Sequence, residues 1–308
     1  MNFISLIYLA SFIVFSILFF LLPKKIQPYL LLIASLGFYA YSGWQSLLCL
    51  IGLGLIGYLS GLFLGRNISH SKGNELSEKE IKKNRVFRKV IIGVSIILDF
   101  LILIYGKFGV SLIQEINSSA KASDILIPLG LSFIVFENIS YTVDVYRQTI
   151  EYERNPFNYY LFICYFPKIL MGPIERYGKF MPELLKEHQA QSEDIQQGSV
   201  RILLGFFKKI VVAESIYPFI NNVLNEKSNV GSLVVLALLL YSFYLYLDFS
   251  GYMDIAVGSS QVLGIKLSEN FRSPYLSTSI GEFWRRWHIT LGAFFKDYVY
   301  YPLMMSPL

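Results

Sequence analysis

The sequence predicts an all-α integral membrane protein that crosses the bilayer several times. Of its 308 residues, 54% are hydrophobic and only 16% are charged, whereas charged residues make up about 25% of a typical soluble domain. The apolar residues are gathered in long runs, and a membrane-spanning helix needs roughly 20 mostly apolar residues. These two observations exclude the class of soluble globular proteins.

Six apolar runs are the clearest candidates for spanning helices: residues 3–22, 29–41, 47–64, 90–105, 125–145 and 233–247. The first run has no basic residue before it and no small-residue cleavage site, so it is expected to be a retained anchor rather than a signal peptide. Three weaker candidates follow later in the chain: residues 159–171, 200–219 and 251–263.

The basic residues predict an orientation in the membrane. Lys24 and Lys25 follow the first apolar run, and a second basic cluster extends from Lys72 to Lys89. Two predicted helices separate these clusters, so both lie on the same side of the membrane. Because Lys and Arg are retained on the cytoplasmic side, the amino terminus is expected outside. The polar segment 69–83 is expected to be a flexible loop.

Beyond Arg147 the apolar segments become shorter and are interrupted by charged residues, proline and glycine, as in residues 165–168 and 171–177. Such a backbone is tolerated at membrane depth only when it is buried in protein or lines a cavity. The pattern therefore predicts re-entrant or in-plane helices. No linker divides the chain, which predicts a single domain over residues 1–308. A transporter built from repeated halves would show an internal repeat, and the sequence has none.

Motifs for soluble cofactor or metal chemistry are missing from the sequence. Cys49 and Cys164 both lie in apolar runs and are expected to be small core hydrophobes. No metal-ligand spacing, phosphate-binding loop, dinucleotide fingerprint or nucleophile elbow is present, so no metal site is predicted. Gly52, Gly54 and Gly57 lie in an apolar run and predict close helix packing.

His288 is the sharpest candidate for chemistry. It ends a Trp-Arg-Arg-Trp-His sequence, and imidazole can take a proton from a hydroxyl near neutral pH. If this stretch forms one helix, Trp284 and Arg285 share a face with His288. The alternative is an interfacial histidine within an aromatic belt. His70 and His188 lie in polar segments and are expected to be solvated, without a role.

The acidic residues in apolar surroundings have structural alternatives. Asp144 ends a predicted helix. Asp248 and Asp254 could support a site, or each could pair with a basic residue to hold helices together. With Ser279 as the N-cap of the next helix, Glu282 falls at N3, which is the pattern of a capping box.

Several motifs together resemble a known family: residues 128–133 (PLGLSF), 140–147 (SYTVDVYR), 166–167, 172–177 (GPIERY), 246–256 (YLDFSGYMDIA), 263–265, 270–271, 274–275, 282–291 (EFWRRWHITL) and 297–300. Over residues 1–301, their order and spacing resemble the membrane-bound O-acyltransferase family, and within it the alginate O-acetylation proteins.

The resemblance implies a ring of membrane helices around a central tunnel, in the cytoplasmic membrane. An acyl donor, acetyl-CoA or an acyl carrier protein, would enter from the cytoplasm as a substrate, with no bound cofactor. The acyl group, acetyl in this subgroup, would pass toward a hydroxyl of an extracytoplasmic polysaccharide or cell-wall polymer. A periplasmic or extracellular acyltransferase is the implied partner protein.

The resemblance also assigns roles. His288 matches the histidine of the family's arginine-rich motif and would act as general base or proton relay near the thioester. Arg285 and Arg286 would orient it or bind the donor's phosphates, with Asp248 and Asp254 as supporting residues.

The sequence departs from the family pattern after residue 303. The family continues past the Tyr-Val-Tyr-Tyr-Pro-Leu stretch into further helices, one of which carries a second histidine in a Trp-His-Gly context. Here Leu303 is followed only by residues 304–308. The chain is therefore expected to match an amino-terminal portion of the family. The alternative is a truncated, catalytically inactive membrane subunit of a polysaccharide-modification complex.

Overall fold

In the computed structural model, every regular element among the described residues is helical, which confirms the all-α prediction. The structure describes residues 5–73, 77–116, 130–169, 171–225 and 231–305. The α-helices are α1 (Leu6–Leu21), α2 (Gln27–Tyr41), α3 (Trp44–Gly73), α4 (Glu78–Ile116), α5 (Leu131–Tyr146), α6 (Pro156–Cys164), α7 (Tyr177–Leu185), α8 (Ser192–Phe206), α9 (Glu214–Asn225), α10 (Gly231–Val262), α11 (Ile280–Arg286), α12 (Ile289–Phe295) and α13 (Tyr301–Met305). Two π-helical segments, Phe207–Ala213 and Lys296–Tyr300, lead into α9 and α13.

The chain forms two compact units. The α8–α10 unit consists of Met1–Gln27, Met171–Pro173 and Glu187–Gly292. The α3–α5 unit consists of Pro28–Leu170, Ile174–Lys186 and Ala293–Leu308.

Glycines bring α8 and α10 into backbone contact. A Cβ atom on Gly205 would lie 2.6 Å from the carbonyl oxygen of Gly251, and one on Gly198 would lie 2.7 Å from that of Gly258. Neither pair tolerates a side chain, and small residues at such spacings let helices in membranes approach closely. The two helices therefore form a rigid frame for the α8–α10 unit.

Glycines of α3 perform the same task in the α3–α5 unit. A Cβ on Gly54 would collide with the ring of Tyr160, and one on Gly57 with the hydroxyl of Tyr159. The prediction of close packing is confirmed at these two positions. Gly52 faces open space, so the prediction was wrong there, because this residue lies on a different side of the helix.

Among the described residues, two helices are long and apolar enough to cross a membrane by length and composition: Trp44–Ser71 and Gly231–Val262. They contain the predicted runs 47–64 and 233–247. The runs 3–22, 29–41 and 90–105 fall on α1, α2 and α4, with residues 3–4 outside the described part. Residues 125–129 of the run 125–145 also lie outside it, and the remainder overlaps α5.

Two predicted breaks are absent. The segment 69–83 is not one long loop, because α3 continues to Gly73 and α4 begins at Glu78, while residues 74–76 lie outside the described part. Ser77 starts α4 by exchanging hydrogen bonds with Glu80, whose carboxylate accepts from the Ser77 amide at 2.9 Å. The runs 233–247 and 251–263 form one continuous helix, α10, whose acidic residues are neutralised by ion pairs.

The predicted interruption after Arg147 is confirmed. The run 159–171 ends as a helix at Cys164 and continues as a turn through residues 166–169. The run 200–219 changes from α8 through a π-helical segment into α9.

Candidate active site

His288 lies in a sharp break between two helices of seven residues each. The premise that this stretch forms one helix was wrong: α11 ends at Arg286, Trp287 is extended, and α12 begins at Ile289. His288 itself has a φ of 43°, in the left-handed region that residues other than glycine rarely adopt. Consequently His288 does not share a helical face with Trp284 and Arg285.

Asn270 accounts for the break. Its backbone carbonyl accepts a hydrogen bond from the amide of Ile289 at 3.0 Å. Its side-chain oxygen accepts from the amide and the hydroxyl of Thr290, at 2.9 and 2.7 Å. Asn270 is 2% exposed, and buried polar groups without partners are costly. These bonds therefore replace helical ones at His288 and hold its backbone in place.

The imidazole of His288 is half-buried against α10. Its ring meets that of Phe249 edge to face, with centroids 4.9 Å apart. Its Nδ1 is buried and has no hydrogen-bond partner among the described residues. Burial lowers the pKa of His288 to about 4, so at neutral pH the ring is uncharged and a ring nitrogen can accept a proton.

Trp287 anchors the turn on the other side. Its indole packs edge to face on Phe271 and stacks on Phe283, with centroids 5.2 and 5.5 Å apart. Tyr246 and Tyr275 complete this aromatic cluster around the indole. This aromatic cluster thus fixes the residue before His288.

The start of α11 is capped as the sequence predicted. The Ser279 hydroxyl accepts a hydrogen bond from the amide of Glu282 at 3.2 Å. The Glu282 carboxylate reaches back to Thr278, accepting from its amide and its hydroxyl, both at 2.9 Å. These bonds lower the pKa of Glu282 to about 2. The structural interpretation of Glu282 is therefore confirmed.

Neither predicted arginine forms a hydrogen bond with the histidine among the described residues. Arg286 is paired with Glu282 at 2.5 Å, and its backbone carbonyl accepts from the amide of Arg272. Arg285 is exposed and has no carboxylate partner within the described part of the chain. In this structure His288 is oriented by Asn270 and by aromatic packing, while donor binding by the two arginines stays a prediction.

Asp248 and Asp254 both pair with basic residues, which is the structural alternative given for them above. Asp248 pairs with Lys209, and Asp254 accepts from Lys208 at 2.6 Å and from Arg201 at 3.1 Å. Both carboxylates thus tie α10 to α8 and the π-helical segment after it. A supporting role for them in a site is untested.

Arg201 extends this network toward the His288 turn. Besides Asp254, its guanidinium holds the carboxylate of Glu269 with two hydrogen bonds of 2.6 Å. Glu269 directly precedes Asn270, so these two hydrogen bonds fix the segment from which Asn270 holds the His288 turn. No role was predicted for Arg201, Glu269 or Asn270. Asn270 belongs to a quoted motif (270–271) and Glu269 directly precedes it, whereas Arg201 lies in none of the motifs.

A second group of motif residues meets in the α3–α5 unit. The Tyr298 hydroxyl donates to the carboxylate of Asp144, with oxygen distances of 2.8 and 2.9 Å. Arg176 lies 4.1 Å from the centre of the Tyr298 ring and pairs with Asp297 at 3.2 Å. Asp144 was a candidate without a named partner, and the structure supplies Tyr298.

The core of the α3–α5 unit contains a buried ion pair. Lys168 of the turn after α6 binds Glu137 of α5, and each side chain is 2% exposed. Glu137 also accepts from the backbone amide of Glu175 at 3.3 Å. Nearby in the sequence, Asn138 donates to Asp99 at 3.3 Å, and the second oxygen of Asp99 has no partner among the described residues. Sequence reasoning missed this group, although Glu137 is an isolated charge in an apolar run, and such a charge is a signal that could have found it.

The remaining histidines and cysteines differ from one another. His70 is exposed near the end of α3, as expected. His188 is 3% exposed, so its predicted solvation was wrong; Gln27 bonds both its amide and its carbonyl, and Phe19 packs on its ring. Cys164 is buried and Cys49 is half-buried, both as free thiols.

Within the described ranges, no three His, Cys, Asp or Glu side chains are grouped to hold a metal ion.

Comparison with known proteins gives this arrangement a context. The family model described as MBOAT, the membrane-bound O-acyltransferase family, matches residues 43–308. A probable alginate O-acetylase of Pseudomonas aeruginosa is 34% identical over 98% of this chain and 57% of its own length. A peptidoglycan O-acetyltransferase of Helicobacter pylori is 29% identical over 89% of this chain and 55% of its own.

A teichoic acid D-alanyltransferase of Bacillus subtilis is 35% identical over 56% of this chain and 44% of its own length. The chain thus spans less than two thirds of the length of each of these three relatives.

Proposed function

The chain belongs to the membrane-bound O-acyltransferase family, and we propose that it provides the His288 region of an enzyme that acylates hydroxyl groups. The acyl group, acetyl in this proposal, moves from a cytoplasmic donor toward an extracytoplasmic polysaccharide or cell-wall polymer. Relatives named for alginate, peptidoglycan and teichoic acid support this acceptor class.

The observation that carries the proposal is the state of His288. The ring is uncharged at neutral pH, since burial lowers its pKa, and its Nδ1 has no partner in the described part of the chain. The backbone is held in a strained conformation by Asn270 and Trp287. Residues in rarely populated backbone conformations concentrate at functional sites, which favours a catalytic over a merely interfacial histidine.

The chemistry proposed for His288 is general base catalysis. Its ring takes the proton of the acceptor hydroxyl as the oxygen attacks the carbonyl carbon of the acyl thioester. The carbon–sulfur bond then breaks, and the proton passes to the departing thiolate. A positioned base of this kind contributes typically 10²–10⁴-fold to the rate. Arg285, which is exposed and unpaired in the described residues, is available for the donor's phosphates.

We further propose a multi-pass arrangement in the cytoplasmic membrane. The two apolar helices Trp44–Ser71 and Gly231–Val262 support spanning segments, and α1, α2 and α4 match the other predicted runs. The interrupted segments between α6 and α7 support re-entrant helices around a central tunnel. Lys24, Lys25 and the basic start of α4 would face the cytoplasm.

The donor is proposed to be acetyl-CoA or an acylated carrier protein, acting as a substrate rather than a bound cofactor. A periplasmic or extracellular acyltransferase is the proposed partner protein that completes delivery to the polymer. Because the family model runs through both compact units without a break, we propose that residues 1–308 form one membrane-bound O-acyltransferase-like domain.

The test is acetyl transfer by membranes that contain this chain together with its native polysaccharide machinery and a labelled acetyl donor. The key variant is His288→Asn, because asparagine tolerates the left-handed backbone that alanine would strain. His70→Asn is the matched control, since His70 is exposed near the end of α3 and outside the site. Transfer is expected to fall at least about 100-fold in His288→Asn and to stay unchanged in His70→Asn.

Full transfer by His288→Asn would overturn the proposed role. No transfer by the stably inserted unsubstituted chain would favour the alternative, a non-catalytic membrane subunit of a polysaccharide-modification complex. Folding of the chain is checked by thermal unfolding of the purified protein in detergent.

A further inference from the structure

A polar cavity lies in the α3–α5 unit, lined by residues that do not belong to the candidate site described above. Its volume is about 440 Å³, and it opens where α3 ends, α4 begins and α5 ends. Arg85 and Arg88 of α4, Ser71 of α3, and Tyr146 and Gln148 at the end of α5 line it.

Among the described residues, Arg88 forms hydrogen bonds in this cavity with neutral groups only. Its Nε donates to the side-chain oxygen of Asn67 at 2.7 Å, and its Nη2 donates to the hydroxyl of Ser71 at 2.7 Å and to the carbonyl of Asn67 at 3.3 Å. No carboxylate of the described residues lies within 4.0 Å of the guanidinium. No described carboxylate therefore neutralises the positive charge of Arg88, and its Nη1 is not used by these bonds.

The same face of α4 carries more positive charge. Arg85 lies three residues before Arg88, lines the same cavity, is exposed and forms no ion pair with a described residue. Residues 78–89 contain six basic and two acidic residues. Positive potential in a concave site concentrates anions, so the cavity is built to receive one.

The place of the cavity along α4 indicates which anion. The basic residues directly precede the apolar run 90–105, and Val86 and Val90 beside them are exposed. Basic clusters at the membrane end of a helix attract phosphate-bearing headgroups. Arginine forks match the oxygen geometry of phosphate, with two parallel N–H···O bonds.

We propose that this cavity binds a phosphate group, with Arg88 as the ligand fixed by Asn67 and Ser71, and Arg85 as the second, exposed ligand. The group comes from the headgroup of an anionic phospholipid or from a soluble organic phosphate. The second source includes a phosphorylated acyl donor, and only that source rests on the proposed function. The Tyr146 hydroxyl and the Gln148 amide are further hydrogen-bond donors at the rim.

The experiment measures binding to the purified chain by native mass spectrometry and by shifts in thermal unfolding. One arm compares phosphatidylglycerol with phosphatidylcholine in detergent micelles, and the other titrates coenzyme A and inorganic phosphate. Arg85→Gln is the main variant, because Arg85 forms no described bond that folding requires. Arg88→Gln is the second variant. Lys82→Gln is the matched control, since it removes the same charge from the same helix outside the cavity.

We expect the affinity for one phosphate probe to fall about tenfold or more in Arg85→Gln, and to stay within about twofold of the unsubstituted chain in Lys82→Gln. Loss confined to phosphatidylglycerol identifies a lipid headgroup, and loss confined to coenzyme A or inorganic phosphate identifies a soluble source. Equal binding of every probe by the unsubstituted chain, Arg85→Gln and Lys82→Gln overturns the proposal. Acyl transfer is not measured here, so failure of the His288 mechanism leaves this result intact.

Discussion

The two compact units accommodate their charged residues in different ways. In the α3–α5 unit, Glu137 and Lys168 form a single pair in which each side chain is 2% exposed. In the α8–α10 unit, Arg201, Asp254 and Glu269 belong to a chain of ion pairs that stays partly exposed. Removing one partner leaves a buried charge in the first case and a partly solvated charge in the second. The same residue types therefore have very different energetic consequences.

The largest effect is expected from Lys168→Met in the α3–α5 unit. The substitution leaves the Glu137 carboxylate buried without its cation, which should lower the free energy of unfolding by about 3–5 kcal/mol. Denaturant titration of the purified chain in detergent measures it. The double variant Glu137→Leu/Lys168→Met removes both charges and should recover most of the loss. Lys186→Met, which breaks an exposed pair with Glu183, is the control, and a Lys168→Met effect no larger than this one would contradict the comparison.

A smaller effect is expected from Arg201→Met in the α8–α10 unit. Asp254 keeps Lys208 as a partner, and Glu269 is partly exposed to water. We therefore expect a loss of about 1–2 kcal/mol in the free energy of unfolding. Because Glu269 precedes Asn270, acetyl transfer should fall more than stability does, through displacement of the His288 turn. Unchanged transfer at reduced stability would show that Arg201 does not position this turn.

The smallest effect is expected on the pH dependence of the stability that the ion pairs of Arg201, Asp254 and Glu269 contribute. Hydrogen bonds from Arg201 keep the pKa of Glu269 below its ordinary value of 4.5. A carboxylate with a lowered pKa in the folded state adds stability above its unfolded pKa, and that stability is lost as the pH falls through the folded pKa. Glu269→Gln should therefore flatten the fall of stability below about pH 4.5, measured as the difference in melting temperature from the unsubstituted chain between pH 6 and pH 4. Parallel curves for the two proteins would refute this contribution.

Periodicity and hydropathy predicted most helices, because long apolar runs have few other solutions in a membrane. The runs that became α1, α2 and α3, and the cap of α11 by Ser279, could be read from neighbouring residues alone. The continuity of α10 could not be predicted from the sequence, which showed two separate apolar runs, 233–247 and 251–263. In the structure Lys209 neutralises Asp248 within this helix. Gly251 is required there because its backbone lies in close contact with Gly205.

The candidate site also has parts that the sequence predicted and parts that it did not. The sequence pointed to His288 as a residue for proton transfer, and to Asp248 and Asp254 as candidates with a structural alternative. It predicted the wrong local structure at His288, since Gly281 to Leu291 has the composition of a continuous helix. The bonds that break that helix come from Asn270, which is distant in the sequence.

By itself, the sequence determined the all-helical membrane character, the family and the identity of the candidate histidine. These depend on composition, on long apolar runs and on motifs of adjacent residues, all of which are local. Only the tertiary structure decided the left-handed turn at His288, the burial of His188 and the pairing of Glu137 with Lys168. Each of these depends on which distant polar group satisfies a buried donor or charge, and that is settled only when the helices pack.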